Sequence, residues 1–341
     1  MTAHEAGLSI GLGWAAAARP GEYGPLAAYA EEIGVDELVV YSDLMFRPPL
    51  GPLLEMAAAT ERMELGLGCL TPFTVHPVEI AGQVAYLDAL SGGRAHLGLV
   101  RGAWLDKLGL EQRRAITAIR ETWEIVSKLL AGDTSGVSGR VFRLEPGLSL
   151  EYEPERSRVP LAIGTWSPKL AELAGELADE VEIGGTGNPE MAEVIRNRMA
   201  PGAERAGRDV GQIQVSFNPM LVVDEDGPAA EALARRMGAM YVEVVGHLDP
   251  TVSLDPDMMN RMRALLAQDD HEAAGRLVPV DLLRRFLVCG TPTQVVDHLL
   301  ELEAAGVDKV YLGNPFGLEE RRGLEVLAER IIPALARARV R

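Results

Sequence analysis

Short apolar runs recur along the chain, and most lack the strict alternation of a strand exposed on one side. They fall at residues 8–13 (LSIGLG), 37–42 (ELVVYS), 63–70 (MELGLGCL), 94–100 (RAHLGLV), 159–165 (VPLAIGT), 180–185 (EVEIGG), 213–223 (IQVSFNPMLVV) and 309–314 (KVYLGN). Continuous apolar runs of this length predict strands covered on both faces, as in a parallel sheet. Helical stripes lie between many of them. Leu26, Tyr29, Ala30 and Ile33 share one helix face, as do Leu170, Leu173, Ala174 and Leu177, and Ile116, Ile119, Trp123, Val126 and Leu130. Two helix exits share a pattern, GVDELVV at 34–40 and GVDKVYL at 306–312, in which glycine stops a helix and a strand follows almost at once.

Eight strands alternating with helices predict an α/β fold of the (β/α)8 TIM barrel type, a single domain over residues 1–341. A doubly wound sheet is the alternative. Two stretches exceed a minimal barrel and count as insertions after strands four and seven. Residues 131–159 hold two β-like pieces, VFRL and LSLEY, around a Pro-Gly turn, and residues 246–285 form a polar helical segment. Loops that long in a compact fold are often lids or substrate walls.

Residues 66–77 read GLGCLTPFTVHP. At a barrel mouth, Cys69, Leu70 and Thr71 would end strand three, where small residues let a flat ligand approach the backbone and Thr71 offers a hydroxyl. A tight strand-to-loop exit, with His76 capping a turn, accounts for the same residues. The surrounding order of segments adds to this. Pro72, Phe73, His76 and Pro77 are followed by Leu87, Asp88, Leu90, Ser91, Gly93 and Arg94, and then by a glycine-rich strand. Residues 66–102 thereby resemble the luciferase-like monooxygenase superfamily. Residues 164–190 (GTWSPKLAELAGELADEVEIGGTGNPE) are similar to the phosphate loop, helix and sixth strand of its coenzyme F420-using branch, with the methylenetetrahydromethanopterin reductase-like members nearest. The likeness weakens over 224–285.

The resemblance implies a (β/α)8 barrel with insertions. It implies a bulged third strand with a non-proline cis peptide, here Gly68–Cys69 or its neighbour, so that Gly68, Cys69, Leu70 and Thr71 back the deazaflavin ring. It places Asp43, at the end of strand two, near the ring's pyrimidine edge; a capping or turn aspartate is the plainer reading of the same residue. Gly164, Thr165, Trp166 and Ser167 would form the phosphate site, because free N–H groups at a helix N-terminus attract anions. Lys169 either adds charge there or faces solvent. Gly184 and Gly185 would permit a second close approach. Some F420-dependent sugar dehydrogenases carry a catalytic histidine directly after the aspartate. Leu44 stands there in this chain, which argues against sugar-phosphate oxidation by that route.

Arg101 and Trp104 follow strand four and Trp14 follows strand one, as candidate substrate contacts; surface and packing roles account for them equally. The expected activity is hydride transfer from reduced F420 to an activated C=C or C=N of a small-molecule or peptide-derived substrate, with Asp43 or water as proton source. An FMN-dependent monooxygenase and a non-catalytic flavin- or deazaflavin-binding protein are the alternatives. The resemblance also suggests a homodimer.

Composition changes this picture little. A net charge of −17 disfavours nucleic acid as a partner. Two cysteines, Cys69 and Cys289, cannot form a disulfide framework and fit a reducing cytoplasm. No run approaches the roughly 20 apolar residues of a membrane helix, and the N-terminal residues do not read as a signal peptide. Six scattered histidines show no metal-ligand spacing, so no metal is expected.

Overall fold

The computed structural model describes residues 7–339. Twelve strands are present among them: β1 (Ser9–Ala15), β2 (Glu37–Tyr41), β3 (Glu64–Leu70), β4 (Ala95–Val100), β5 (Val137–Ser138), β6 (Arg143–Leu144), β7 (Leu161–Gly164), β8 (Glu180–Gly184), β9 (Gln214–Asn218), β10 (Met220–Val223), β11 (Leu287–Gly290) and β12 (Lys309–Gly317). The main sheet runs β1-β2-β3-β4-β7-β8-β9-β12-β10-β11, and β12 also pairs with β1. With helices between the strands, this is the (β/α)8 barrel read from the sequence. All eight expected runs are strands. The seventh divides into β9 and β10 at Pro219, which has no N–H to give to a ladder. Strand β11 lay outside the expected set. It adds to β10 in parallel, from Met220 opposite Leu287 to Val223 opposite Gly290.

The chain's contacts group into two compact units, and each is described by itself. The first holds residues 13–181 and 198–213. In it β2, β3, β4 and β7 are successive parallel neighbours. Leu38, Val40, Leu65, Leu67, Leu97, Leu99, Leu161 and Ile163 are completely buried. Burial of each is worth roughly 1.5–3 kcal/mol, so this row alone supplies much of the unit's stability. The helices Leu50–Ala59, Pro77–Ser91 and Ala115–Leu130 pack side by side outside the strands. Helix Tyr23–Glu32 gives way to Gly34, whose φ of +89° supplies the expected stop; Gly306, with φ +87°, does the same before β12.

The family-like LDxLSxGR stretch is structural. Asp88 is buried and accepts from Arg156 Nε at 3.0 Å, Arg156 Nη2 at 2.5 Å and the Ala95 N–H at 3.2 Å. Arg94 donates to the carbonyls of Ala57, Thr60, Met63 and Ser91 and to the Thr60 hydroxyl. The two arginines staple the ends of helices Leu50–Ala59 and Pro77–Ser91 to the starts of β3 and β4.

Residues 131–159 depart from expectation. VFRL supplies β6, but its antiparallel partner is β5 at 137–138, and LSLEY forms no strand. The segment leaves the end of helix Ala115–Leu130, not the end of a strand. Its residues 140–142 donate three N–H groups to Glu121 at 2.7–2.8 Å, and Arg156 reaches Ala95 O at the start of β4. Burial alone would raise the Glu121 carboxyl, but those three donors hold it below its usual range. The segment is a strap against the outer helices, and its Phe142 ring meets the His76 ring edge-on with centroids 5.6 Å apart.

The second unit holds residues 1–12, 182–197 and 214–341, described from residue 7 and to residue 339. The insertion is helical as expected, with helices Pro256–Leu266, His271–Arg276 and Val280–Leu283. Met259, Met262, Leu283 and Phe286 join Met220, Val222, Ala234, Leu287 and Cys289 in one apolar cluster. Four-residue β11, just beyond the insertion, contributes Leu287 and Cys289 to that core, and so short an apolar run reads equally well as a helix face. Among the described residues no helix is long and apolar enough to cross a membrane.

Candidate active site

Four neighbouring strands of the first unit deliver the candidate residues at their C-terminal ends. Strand β2 ends at Tyr41, and Ser42 N–H donates to Gly68 O at 2.7 Å, which ties the β2 exit to β3. Asp43 follows. Its side chain keeps accessible surface and has no hydrogen bond or ion pair among the described residues, yet loss of surrounding water raises its carboxyl above the usual range. Leu44 follows it directly.

Strand β3 is bulged, because its register against β4 shifts between Leu67 and Leu70. The peptide bonds there are trans. Among the described residues the only cis bond is Asn314–Pro315, so the expected cis bond at Gly68–Cys69 is absent and the bulge alone redirects the backbone. Gly68 is obligatory by packing: a Cβ there would lie 2.2 Å from Val39 Cγ1. Cys69 Sγ lies over two glycines, 2.8 Å from where a Cβ of Gly98 would stand and 3.1 Å from one on Gly164. Leu70 is buried, so only its backbone is available. Thr71 Oγ1 donates to Arg101 O at 2.8 Å, so its proton is committed to joining the β3 and β4 exits. His76 is the N-cap of helix Pro77–Ser91, with Nδ1 accepting from Val78 N–H at 3.3 Å. The histidine of the 66–77 stretch is therefore a cap.

At the β7 exit, Gly164 and Thr165 are buried, Trp166 is half-buried and Ser167 is exposed. Thr165 Oγ1 accepts from Ser167 N–H at 2.8 Å, and Arg198 Nη1 donates to Trp166 O at 2.9 Å. Ser167 is the N-cap of helix Pro168–Leu177, but its hydroxyl makes no capping bond. The first-turn N–H groups are thus left without a side-chain acceptor, with a guanidinium beneath the loop. These residues fit the phosphate of a flavin-like cofactor. Lys169 is exposed.

Arg101 and Trp104 are exposed on the loop after β4, while Trp14 in β1 is buried and belongs to packing as much as to any pocket. Gly184 and Gly185 are in the second unit. A Cβ on Gly184 would meet open space, whereas Gly185 has φ +71° and would crowd Tyr241 Cδ1 at 2.8 Å.

Two constellations escaped the sequence reading. His96 Nε2 lies 3.0 Å from Glu37 Oε1, and with Glu64 the three ligand-type atoms are within 4.8 Å of one another at the opposite, N-terminal ends of β2, β3 and β4. Each strand gives one residue, so no spacing motif exists. In the second unit Asn188 is buried and donates to Asp249 Oδ2 at 2.8 Å and Thr251 Oγ1 at 2.7 Å, while its carbonyl accepts from Arg285 at 3.1 Å. This pins both ends of the 246–285 insertion, and the polar residues gave no local signal for it.

The comparisons with known proteins agree with this architecture. The profile of the luciferase-like monooxygenase family matches residues 7–309. The chain is 28% identical to 5,10-methylenetetrahydromethanopterin reductase of Methanopyrus kandleri, over 92% of this chain and 95% of that one. It is 26% identical to the F420-dependent glucose-6-phosphate dehydrogenase of Nakamurella multipartita, over 93% of each. The solved structure of the coenzyme F420-dependent tetrahydromethanopterin reductase from Methanopyrus kandleri superposes with a TM-score of 0.88 at 26% identity, over 97% of this chain and 100% of that one. By the extent of that match, the chain belongs to the luciferase-like monooxygenase family.

Proposed function

We propose that this protein is a coenzyme F420-dependent oxidoreductase that transfers hydride between the deazaflavin and an organic substrate with an activated C=C or C=N bond. The observation that carries the reading is the conjunction of a bulged, glycine-lined β3 with an uncapped helix start two strands away, in a chain whose relatives include F420-dependent enzymes aligned over more than nine-tenths of its length. Reduced F420 supplies a two-electron hydride donor when bound. The residues supply the rest. The Lys169 N–H at the uncapped helix start, beside the Ser167 hydroxyl, holds a phosphate, and Gly68 and Cys69 back the ring. Gly184 and Gly185 are further candidates for backbone contact, Gly184 the more open of the two.

Asp43 holds a proton to higher pH than an ordinary carboxyl, which suits it to hydrogen-bond a cofactor edge or to give a proton to the substrate. Leu44 separates this chain from dehydrogenases that use a histidine there. Trp14, Arg101 and Trp104 are the substrate candidates. The homodimer expectation gains support from helix Pro77–Ser91, which is apolar on its outer side as well: Val78, Tyr86 and Leu90 are 36%, 57% and 46% exposed. Separate titrations with F420 and FMN, followed by a screen of electron-poor alkenes and imines with reduced F420, support the reading if F420 binds and is consumed. Preference for FMN with oxygen uptake would replace it by the monooxygenase.

A further inference from the structure

The loop after β4 carries a device that the family resemblance did not point to. Gln112 lies eleven residues beyond Arg101 and closes the loop back on itself. Its Nε2 donates to Arg101 O at 2.7 Å and to Gly102 O at 2.8 Å, and its Oε1 accepts from Arg101 Nε at 2.8 Å. One amide side chain thus satisfies two carbonyls and fixes the edge of the guanidinium. From the other side, Thr71 Oγ1 donates to the same Arg101 carbonyl at 2.8 Å. Arg101 is therefore held in backbone and side chain at once.

What the clamp leaves free is informative. Arg101 Nε is used, but neither Nη nitrogen has a partner among the described residues, and the side chain is exposed at the C-terminal end of β4. Side-chain entropy opposes fixing an exposed arginine for no purpose. A guanidinium oriented through Nε presents its two Nη groups as a fork, the geometry that matches a carboxylate or phosphate. Three residues on, Trp104 is 43% exposed with φ +54°, and Lys107 Nζ sits 5.8 Å from its ring centroid. A tryptophan held in the left-handed region with its ring toward solvent is costly in isolation and tends to mark a binding loop. Trp104 and Leu108 offer an apolar surface on the loop whose first residue is the fork.

We propose that Arg101 recognises an anionic group, carboxylate or phosphate, on a substrate with a planar apolar body, and that Gln112 is the positioning residue that aims it. This deepens the oxidoreductase reading and rests on it for the word substrate, although the binding step can be measured without the cofactor.

The test is calorimetric titration of the whole chain with trans-cinnamate, its neutral isostere cinnamamide, and phenyl phosphate. Cinnamate binds about tenfold or more tighter than cinnamamide, the range expected for charge-assisted bonds. Comparison of cinnamate with phenyl phosphate tells which anion the fork prefers. Arg101→Ala abolishes the difference between cinnamate and cinnamamide, and Arg101→Lys keeps only part of it, since a lysine is a point charge and not a fork. Gln112→Ala weakens cinnamate by roughly threefold to tenfold and leaves cinnamamide unchanged. Gln112→Glu weakens cinnamate further, because its own carboxylate competes for Arg101. A residue that merely held the loop together would weaken both probes alike.

Equal binding of cinnamate and cinnamamide by the wild-type protein, no binding of either, or a preference for cinnamate that survives Arg101→Ala overturns the proposal. F420 titration of each variant separates the two readings. Arg101-dependent anion binding without F420 binding sinks the cofactor assignment and keeps this site; F420 binding with no anion preference does the reverse.

Discussion

Replacing Gly68 by alanine tests the packing on which the β3 backstop depends. The added Cβ would stand 2.2 Å from Val39 Cγ1 and 3.4 Å from Tyr41 Cε1. Ordinary carbon–carbon contact begins near 3.5 Å, so the Val39 contact alone falls short by roughly 1.3 Å. Val39 is 1% exposed and lies directly opposite Gly66 in the β2–β3 ladder, so neither side chain nor strand can move aside freely. Overpacking of this kind costs about 1–3 kcal/mol. Val39→Ala removes the offending methyl groups and by itself costs about 2 kcal/mol through lost burial and a cavity. In the double variant the new methyl occupies part of that cavity. The double variant is therefore more stable than the sum of the single changes predicts, by about 1–2 kcal/mol. Urea unfolding of the four proteins measures this coupling, and F420 fluorescence titration of the same set reads the ring's support, with weaker binding expected for Gly68→Ala. Additive effects within about 0.5 kcal/mol, or a Gly68→Ala protein as stable as wild type, would refute the packing argument.

Three other outcomes are expected. Asp43→Asn lowers turnover with reduced F420 and removes any loss of rate as pH rises through the raised Asp43 pKa. Because the folded carboxyl holds its proton more tightly than the unfolded one, wild-type stability falls as pH rises from the ordinary aspartate value of 3.8 through the folded value, so the asparagine variant gains relative stability at neutral pH and not below pH 3.8; urea melts across pH check the sign. Arg156→Met strands the buried Asp88 carboxylate and destabilises the fold by about 3–5 kcal/mol, read by denaturant unfolding. Cys289, whose thiol burial pushes up to about 11, stays unlabelled by iodoacetamide at pH 8 in the native protein and is labelled in urea.

The barrel was legible because parallel strands covered on both faces read as short continuous apolar runs, and all eight such runs became strands. The glycine stops at 34 and 306 were legible because no residue with a Cβ takes that backbone shape so readily. Strand β11 was not, since the four residues Leu287–Gly290, just beyond the helical insertion, are too few to carry a period of their own. The 131–159 segment misled because VFRL shows its strand character but not its partner, and Val137–Ser138 is too short to announce itself. Its point of departure, a helix C-terminus and not a strand end, carries no signal in length or composition. At the candidate site, Asp43 and the β3 exit were singled out through the family resemblance. Gln112 was not, because a clamp made by one amide across eleven residues leaves no spacing signature, and the Glu37–Glu64–His96 cluster was missed because each strand contributes a single residue.

The most direct test of the central reading is a fluorescence titration of the purified protein with oxidised coenzyme F420 and, in parallel, with FMN. Micromolar or tighter F420 binding, weakened by Gly164→Ala, which would put a Cβ 3.1 Å from Cys69 Sγ, is the predicted result, with FMN bound more weakly. FMN bound tightly and F420 bound weakly or not at all would contradict it.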